Sequence, residues 1–235
     1  MSSAERPPKI TVVIPVLNEE NLLPDTLQSL RAQTFRDYDV VVVDNGSTDN
    51  TVKIARRFGC HVVTEERKGV GFARQRGFEE ARGEIIASTD ADTIVPSGWL
   101  ELIARSFQEN PNQVAVYGTI RFRERQGLGK WLAEFLFVHF LRLNHFLGRP
   151  HFCGPDFAVR REAFQAVDGF KDGNHFYSVS EDVQLSLKLK RKGDIRFHKG
   201  LVVYTSPRRL GKGGHRYVWH HTKNYWSVVW LGRKR

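Results

Sequence analysis

The chain contains only two cysteines, Cys60 and Cys153, among its 235 residues. They lie far apart and neither belongs to a metal-type spacing, which excludes a disulfide framework and a cysteine-built zinc site. The first residues, MSSAERPPK, lack an apolar core, so the sequence predicts no signal peptide. No uncharged apolar run reaches about 18 residues, so no ordinary transmembrane helix is expected. We therefore expect a cytoplasmic protein that lacks a membrane span.

Acidic residues are scarce in only one part of the chain. The formal net charge is +10, from 36 Lys and Arg against 26 Asp and Glu. Residues 188–235 contain 14 basic residues and one acid, whereas residues 1–187 contain 22 basic and 25 acidic residues, which gives +13 and −3. A near-neutral body with a basic C-terminal segment favours an anionic partner: phosphates, nucleic acid or an acidic membrane. A solvated basic surface is the alternative.

Short apolar runs alternate with helical patterns along the first half of the chain. Runs rich in β-branched residues at 10–16, 39–44 and 84–89 predict buried strands, and a helix is expected at about 21–33. Further helices are predicted at 49–58, 71–81 and 99–108, and further strands at 61–64 and 113–123. Such alternation is typical of a mostly parallel, doubly wound sheet. The sequence therefore predicts a single α/β domain with a C-terminal extension.

Polar clusters follow three of the predicted strands. The first strand ends in PVLNE (15–19), the second in DNGS (44–47) and the third in DAD (90–92). Ligands of such sheets bind beyond the carboxyl ends of the strands, so these clusters are expected to meet at one edge. Each cluster alone could also serve a turn or a helix cap.

The DAD segment carries two carboxylates, Asp90 and Asp92, which point to the same side of an extended chain. Like charges this close repel unless a cation lies near them. Mg²⁺ or Mn²⁺ fits this need, because such ions are held by one or two carboxylates together with substrate phosphates. The spacing favours a divalent metal at this position, with a turn and helix cap as the alternative.

Six segments occur together in a characteristic order. They are PVLNEE (15–20), VVVDNGSTDNT (41–51), ARQRG (73–77), STDADT (88–93), CGPDFAVRREAFQAVDGF (153–170) and SVSEDVQLSLKLKRKG (178–193). In motif, order and spacing the chain resembles the family 2 glycosyltransferases, which are inverting, nucleotide-sugar-dependent enzymes of the GT-A fold. The resemblance covers about residues 9–210. It implies a GT-A domain over 1–210, with a donor half at about 9–123 and an acceptor half at about 124–210, followed by a basic aromatic extension at 211–235.

For the nucleotide-sugar donor, the resemblance implies contacts at the ends of the first two strands and in the third helix. The residues expected to bind the nucleotide are Pro15, Val16, Glu19, Asp44 and Arg74. Asp44 would accept a hydrogen bond from a ring N–H of the base, and Arg74 would reach the ribose and phosphates.

For the diphosphate, the resemblance implies that Asp92 coordinates the metal and that Asp90 contacts the ribose or a metal-bound water. Further along the chain, Arg208 and Arg209 begin a basic, glycine-rich segment. Guanidinium groups suit bidentate contacts with phosphate. We expect one of these two arginines to bind the leaving diphosphate.

Glu181 and Asp182 resemble the acidic pair of the family, in which the aspartate is the general base. An inverting transfer needs a carboxylate that takes the proton of the attacking acceptor hydroxyl. A capping box of Ser178 and Glu181 is the alternative, and both roles can coexist in one helix start. Asp156 is expected to contact a sugar hydroxyl, with a turn aspartate as the alternative.

The segment 128–147 predicts an unusually apolar helix. Between Trp131 and Leu147, 12 of 17 residues are apolar, but charged residues near its middle argue against a bilayer span. A wide aromatic face suits a membrane interface or a homodimer contact, with a core helix as the alternative. The C-terminal segment adds tryptophans among basic residues, which favours anionic lipids. Together these features predict peripheral binding to an anionic membrane.

The predicted function is a metal-dependent inverting glycosyltransferase that moves a sugar from a nucleotide-diphosphate sugar to a carbohydrate hydroxyl or a lipid phosphate. A UDP-sugar is the first choice of donor and GDP-mannose the second. Two other classes stay open: a nucleotidyltransferase, which shares the two-carboxylate chemistry, and a basic nucleic-acid-binding module. The first would normally carry a glycine-rich triphosphate loop near its start. The second lacks a recognised motif, and we expect no nucleic-acid partner.

Overall fold

The computed structural model of the chain describes residues 6–123, 128–172, 175–176 and 181–210. The strands are β1 (Ile10–Val16), β2 (Tyr38–Asp44), β3 (His61–Thr64), β4 (Ile85–Ser88), β5 (Thr93–Ile94), β6 (Gln113–Phe122), β7 (Phe157–Arg160), β8 (Lys171–Asp172), β9 (His175–Phe176) and β10 (Asp194–Thr205). The helices are α1 (Leu23–Arg31), α2 (Thr51–Arg57), α3 (Val70–Glu80), α4 (Trp99–Glu109), α5 (Leu128–Phe146), α6 (Arg161–Gln165) and α7 (Glu181–Leu189), followed by a 3-10 turn at Pro207–Leu210.

Eight strands form one sheet in the order β3-β2-β1-β4-β7-β6-β10-β5, and β8 and β9 form a separate hairpin. Strands β1 to β4 are mutually parallel, and β10 is parallel to β6. β7 is antiparallel to both of its neighbours, β4 and β6, and the short β5 is antiparallel to β10. The predicted α/β class with a mostly parallel sheet is therefore confirmed.

The central strands are buried because helices cover both faces of the sheet. All but one residue of β1 are buried, and β4 is buried along its whole length. Strands covered on both sides are expected to be continuously apolar rather than alternating, and both sequences are apolar except for the buried Thr11 and Ser88. One core cluster contains Trp99 and Phe107 of α4, and the other contains Phe78 of α3. The helices thus pack on both faces of the sheet, below its carboxyl edge.

The predicted elements of the first half lie within a few residues of the observed ones. β7 and β10 were not predicted, although both belong to the main sheet. The FAVR sequence of β7 is too short for a periodic signal, and its pairing between two distant strands is set by the tertiary fold. The division into donor and acceptor halves stays a prediction, and the extension at 211–235 lies outside the described residues.

The predicted apolar helix corresponds to α5. Leu141 is fully buried, whereas Trp131, Phe135 and Phe146 are exposed. Within the described ranges, no helix combines the length and hydropathy that crossing a bilayer requires. The alternative prediction of a core helix therefore agrees with the buried side of α5 but not with its exposed side.

Candidate functional site

The loops that follow β1 and β2 are bonded to each other. Val16 lies opposite Asp44 in the parallel register, and the Asn45 N–H donates to the Val16 carbonyl at 2.9 Å. Asn18 adopts a left-handed conformation with φ of 55°, which asparagine tolerates better than most residues. Its N–H donates to Ser47 Oγ at 2.9 Å. Two of the three polar clusters predicted to meet at the sheet edge, those after β1 and β2, are therefore in contact here.

A second set of bonds fixes Glu19 and Glu20. The Glu19 N–H donates to Thr51 Oγ1 at 2.8 Å, and the Glu20 carboxylate accepts from the side chain of Asn50 at 2.9 Å. Glu19 is buried although it is charged, so its side chain points into the molecule. The loop after β1 is thereby bonded to the start of α2.

Asn45 organises the third loop of this edge. Its Nδ2 donates to the carbonyl oxygens of Glu65 (2.7 Å) and Arg67 (2.8 Å), and its Oδ1 accepts from the Gly69 N–H at 2.8 Å. This single amide therefore holds the loop that leads into α3. Asn45 was not identified as a site residue from the sequence, where its only signal is its place directly after Asp44 at a strand end.

Asp44 lies at the centre of this preformed surface. Its carboxylate is buried and accepts one hydrogen bond, from the Ser47 N–H at 3.0 Å. Pro15 is half-buried beside it on β1, and Val16 is fully buried. The structure therefore places Pro15, Val16 and Asp44 at one edge, and their contacts with a nucleotide stay a prediction.

Lys68 brings a cation to the same edge. Its Nζ donates to the carbonyl oxygen of Asn45 at 2.9 Å. The lysine passes over Gly46, where a Cβ atom would lie 2.1 Å from Nζ. Gly46 also has φ of 92°, which side chains other than glycine rarely adopt. The positive φ explains why glycine stands at this position, because the end of the flexible lysine side chain could move aside.

Arg74 is a buried cation between two carboxylates. Only 4% of the residue is exposed. Its Nη2 lies 2.7 Å from Asp90 Oδ1, and its Nη1 is bonded to Glu181 Oε1. Gly154 packs directly on the guanidinium, since a Cβ there would lie 2.3 Å from Nη2. Arg74 therefore links α3, the end of β4 and the start of α7, and its predicted contact with ribose or phosphates stays a prediction.

Asp182 follows Glu181 in the first turn of α7. Its Oδ1 accepts from the Val183 N–H at 2.8 Å. Burial, and next the negative charge of Glu181, raise the pKa of Asp182, while the Arg74 guanidinium opposes this rise. A carboxylate with a raised pKa is a stronger base near neutral pH, which is what general base catalysis needs. Ser178, the partner in the alternative capping box, lies outside the described residues.

Asp92 is bonded to the end of β10. Its carboxylate is buried and accepts from Thr205 Oγ1 at 3.1 Å, and its carbonyl oxygen accepts from the Ser206 N–H at 3.2 Å. Asp90 and Asp92 therefore point to different partners, one to Arg74 and the other to β10. Neither Thr205 nor the end of β10 was identified from the sequence, because this contact joins residues more than a hundred positions apart.

Arg208 belongs to the 3-10 turn, and its side chain lies between two carboxylates. Its Nη2 is bonded to Glu19 Oε1 and is 3.8 Å from Asp92 Oδ2. Glu19, predicted to bind the nucleotide, is thus an ion-pair partner of Arg208 here. The side chain of Arg209 lies outside the described residues.

The position beside Asp92 fits a divalent cation. A guanidinium already lies between Asp92 and Glu19, and Glu19 Oε2 is buried with no hydrogen-bond partner in the described part of the chain. The described residues contain no cluster of three or more His, Cys, Asp or Glu that would hold a metal alone. A cation here would therefore take substrate phosphate oxygens as further ligands, as Mg²⁺ and Mn²⁺ commonly do.

Asp156 lies directly before β7 and has no exposed surface. Its predicted contact with a sugar hydroxyl stays a prediction. Its Oδ1 accepts from Trp99 Nε1 at 2.8 Å, which joins the start of β7 to α4. Burial raises the pKa of Asp156 to about 8, against the opposing effects of the bonds from Trp99 and the Thr119 backbone.

The replacement Asp156→Asn is expected to remove a pH dependence of stability. An acid whose pKa is raised from 3.8 to about 8 by folding stabilises the native state fully below pH 4 and loses this contribution as the pH rises to about 8. Asparagine has no charge to bury and can still accept from Trp99. Thermal unfolding is measured at pH 5 and pH 9. Between these pH values the free energy of unfolding of the variant should rise relative to that of the wild type by a few kcal/mol, at about 1.4 kcal/mol per pKa unit. Parallel curves for wild type and variant would contradict the assignment, and the exposed Asp168→Asn is the control.

Comparison with known proteins places this geometry in a family. The model of glycosyl transferase family 2 matches residues 11–168. Glycosyltransferase GlyG of Streptococcus pneumoniae is 26% identical over 200 residues, which cover 81% of this chain and 60% of GlyG. An uncharacterised glycosyltransferase of Mycobacterium tuberculosis is 37% identical over 158 residues, which cover 66% of this chain and 68% of that protein.

The fold is similar to that of a solved enzyme. The mannosyltransferase PcManGT of Pyrobaculum calidifontis, solved in complex with GDP-Man and Mn²⁺, has a TM-score of 0.71 and 25% identity, over 90% of this chain and 61% of that one. The chain thus spans about three fifths of the length of GlyG and of PcManGT. The family match over residues 11–168 shows that the chain belongs to glycosyl transferase family 2, and the similarity to PcManGT shows that it has the GT-A fold.

Proposed function

We propose that the chain transfers a sugar from a nucleotide-diphosphate sugar to an acceptor with inversion at the anomeric carbon, in the presence of a divalent metal. The observation that carries the proposal is the convergence around Arg74. This buried arginine brings Asp90, from the end of β4, together with the acidic pair that opens α7. One cation thereby holds both Asp90, a carboxylate proposed to bind the metal, and Glu181, the neighbour of the proposed base Asp182.

The nucleotide binds at the edge formed by the loops after β1 and β2. Asp44 accepts from the base, and Pro15 and Val16 line the same side. Support comes from the bonds of Asn18 and Asn45, which hold these loops in place in the free protein. A preformed site loses less conformational entropy when the ligand binds.

The diphosphate binds beside Asp92. Asp92 and Asp90 would hold the metal, whose charge, when bound, stabilises the leaving diphosphate. Arg208 is bonded to Glu19 and lies near Asp92, so its guanidinium is already beside this position and can contact a phosphate oxygen. Arg209 is the second candidate for the same contact.

Asp182 acts as the general base, with Glu181 beside it. The acceptor oxygen forms a bond to the anomeric carbon while the bond from that carbon to the diphosphate breaks and its electron pair leaves with the diphosphate. The hydroxyl proton passes to the Asp182 carboxylate. Glu181 holds Arg74, and its negative charge raises the pKa of Asp182. Glu181 is therefore a positioning residue in this proposal.

A UDP-sugar is our first candidate for the donor and GDP-mannose the second. The family resemblance favours the first, and the GDP-Man complex of the Pyrobaculum mannosyltransferase supports the second. The acceptor is a carbohydrate hydroxyl or a lipid phosphate, and the reaction takes place at a membrane surface. The apolar exposed side of α5 supports this location.

Nucleotide-dependent stabilisation tests this proposal. Thermal unfolding is measured with UDP, GDP and the triphosphates, each with and without Mn²⁺. We expect stabilisation by a diphosphate only when the metal is present, of about 2.7 kcal/mol at a ligand concentration of 100 Kd. The Asp92→Asn variant should lose the metal-dependent part, whereas the exposed Asp168→Asn should keep it.

The other outcomes of this measurement identify the alternatives. Stabilisation by triphosphates alone would favour a nucleotidyltransferase. Stabilisation by oligonucleotides and by no mononucleotide would favour the nucleic-acid-binding module, and either result would overturn the proposal. A panel of nucleotide sugars, with release of the diphosphate as the readout, then identifies the donor.

A further inference from the structure

The solvent-facing side of α5 is apolar. Seven apolar side chains of α5 and the residue after it are exposed: Trp131, Leu132, Phe135, Leu136, Leu143, Phe146 and Leu147. At about 100° per residue they lie within one arc of about 160°, which also contains the exposed polar residues His139 and Arg142. Phe146 is 86% exposed. We call this arc the α5 outer face.

The opposite side of α5 is fixed on the sheet. Leu141 is fully buried, and the ring of His145 lies 5.9 Å from that of Tyr117 in β6. Near the start of the helix, Glu134 Oε1 accepts from the Phe122 N–H at 3.2 Å. A surface helix normally presents its polar side to solvent, so a contiguous apolar outer face indicates an interaction surface.

A cavity of about 450 Å³ opens between α5 and β10. Its lining residues are Arg142, Arg196, Phe197, His198, Lys199 and Gly200. The wall from β10 is formed where the strand register with β6 shifts, between Phe197 and Val202. Arg142 is exposed on α5 and falls within the arc of the outer face, so the cavity and the apolar face adjoin at this residue.

The cavity carries a positive charge that is only partly neutralised. Arg196 pairs with Glu109, at 2.6 Å between Nη1 and Oε2. Among the described residues, Arg142 and Lys199 form no ion pair with an acid. Burial, and next the charge of Arg196, lower the pKa of His198, while Glu109 opposes this effect. Two guanidinium groups and an ammonium group are suitable donors for a phosphate.

We propose that this surface binds an anionic phospholipid bilayer, with a head-group phosphate in the Arg142–Lys199 cavity and the α5 outer face at the acyl boundary. An interfacial helix combines an apolar face of this kind with basic residues at its margin. The proposal deepens the membrane location given above, and it does not require the transfer activity itself.

Charge favours an anionic bilayer over the other candidate partners of this surface. Residues 211–235 contain six Lys and Arg and no acid, so this segment would meet a cavity of its own sign. A second copy would bring the same basic cavity to the interface. A nucleic acid has the right charge, but its phosphate backbone offers no apolar layer to the seven exposed side chains. An anionic bilayer complements both the charge and the apolar face.

The position of α5 explains what this docking achieves. Glu134, in the second turn of α5, bonds to the last residue of β6, so this end of the helix lies at the carboxyl edge of the sheet. The neighbouring strand β10 ends there at Thr205, which bonds to Asp92. A bilayer on the outer face would therefore lie beside the edge that carries the candidate site.

Vesicle flotation of the full chain tests the proposal. Wild type is expected to bind vesicles that contain phosphatidylglycerol and to bind pure phosphatidylcholine vesicles much more weakly. The double reversal Arg142→Glu with Lys199→Glu should reduce binding to anionic vesicles by about tenfold or more. The pair Leu143→Ser with Phe146→Ser, at exposed positions, should reduce it by a similar factor.

A matched charge reversal elsewhere on the surface tests whether the loss of binding comes from the cavity or only from the change in net charge. Lys53→Glu with Arg56→Glu makes the same change in net charge on α2, beside β3 at the opposite end of the sheet, and should retain most of the binding. Equal loss in this control, or full binding by both test variants, would overturn the proposal. A dimer in sedimentation velocity that the Leu143→Ser and Phe146→Ser changes dissociate would assign the face to a second copy and overturn it too.

Metal-dependent stabilisation by nucleotide is measured on the same variants. We expect it to be unchanged, since none of the substituted residues is a candidate donor residue. Lipid binding and donor binding can therefore fail independently of each other, which keeps this proposal distinct from the proposed function.

Discussion

Sugar transfer by the Asp182→Asn variant is expected to fall by about 10²- to 10⁴-fold, with donor binding retained. General base catalysis is worth about this factor, because the hydroxyl proton must leave as the new bond forms. Asparagine has nearly the same shape and its Oδ1 can still accept from the Val183 N–H, which the aspartate accepts at 2.8 Å. The substitution therefore removes the base and leaves the start of α7 in place.

The pH profile gives a second, independent readout. The base must be deprotonated, so wild-type transfer should rise with pH through the pKa of Asp182. Burial and the charge of Glu181 raise that pKa, and the acid side of the profile is therefore expected at a higher pH than an ordinary aspartate would give. In Asp182→Asn this rise should be absent.

Release of the diphosphate from the nucleotide sugar, measured with and without acceptor, checks both expectations. Stabilisation by nucleotide and Mn²⁺ shows that the donor site is intact. Asp168→Asn is the control, since Asp168 is exposed and its φ of 56° suits asparagine. Transfer by Asp182→Asn above about a tenth of wild type would remove Asp182 as the base.

The contributions of sequence and structure differ from one residue to another. The strand ends at 15–19, 44–47 and 90–92 could be located because buried strands and turn residues leave local signals. The shared edge could be predicted as well, because parallel strands present their carboxyl ends together. Register and order in the sheet then bring Val16 opposite Asp44.

The partners of these residues could not be predicted in the same way. Arg74 meets Glu181 across 107 positions, and Thr205 meets Asp92 across 113. No local pattern encodes a contact of that separation. The ion pair of Arg74 left one local trace, namely the glycine at 154 in CGPD, which becomes meaningful only once the guanidinium is seen to pack on it.

The burial of Asp156 could not be predicted from its motif. Asp156 stands directly after a proline in a loop-like segment, which favours an exposed turn or ligand contact. In the fold it immediately precedes β7, the antiparallel strand between β4 and β6, and is buried there. A four-residue strand leaves too little pattern to reveal that burial.

Replacement of Arg74 by methionine should destabilise the fold by about 3–5 kcal/mol. Glu181, which is buried, and Asp90, which is partly buried, would lose their shared cation. Removal of one partner from a buried ion pair costs this much, because the remaining charge is left without compensation. Methionine fills much of the volume of the arginine stem, so lost packing contributes little.

Urea unfolding with Arg76→Met as the matched control separates burial from the mere loss of a charge. Arg76 lies on the same helix and pairs with Glu80, but its side chain is 43% exposed. Exposed pairs contribute about 0–1 kcal/mol, so this control should be nearly neutral. Equal effects of the two substitutions would contradict the role assigned to Arg74.

Neutralisation of the acids should rescue the variant. In Arg74→Met combined with Asp90→Asn and Glu181→Gln, no charge is left uncompensated at this position, and part of the lost stability should return. Arg74 also lowers the pKa of Asp182, so Arg74→Met alone should move the acid side of the transfer profile to higher pH. The triple variant lacks the Glu181 charge, which raises the same pKa, and should move it back. If loss of the Arg74 charge and loss of the Glu181 charge shift the acid side of the profile in opposite directions, the two residues act as one electrostatic unit. That unit stabilises the fold and sets the pKa of Asp182.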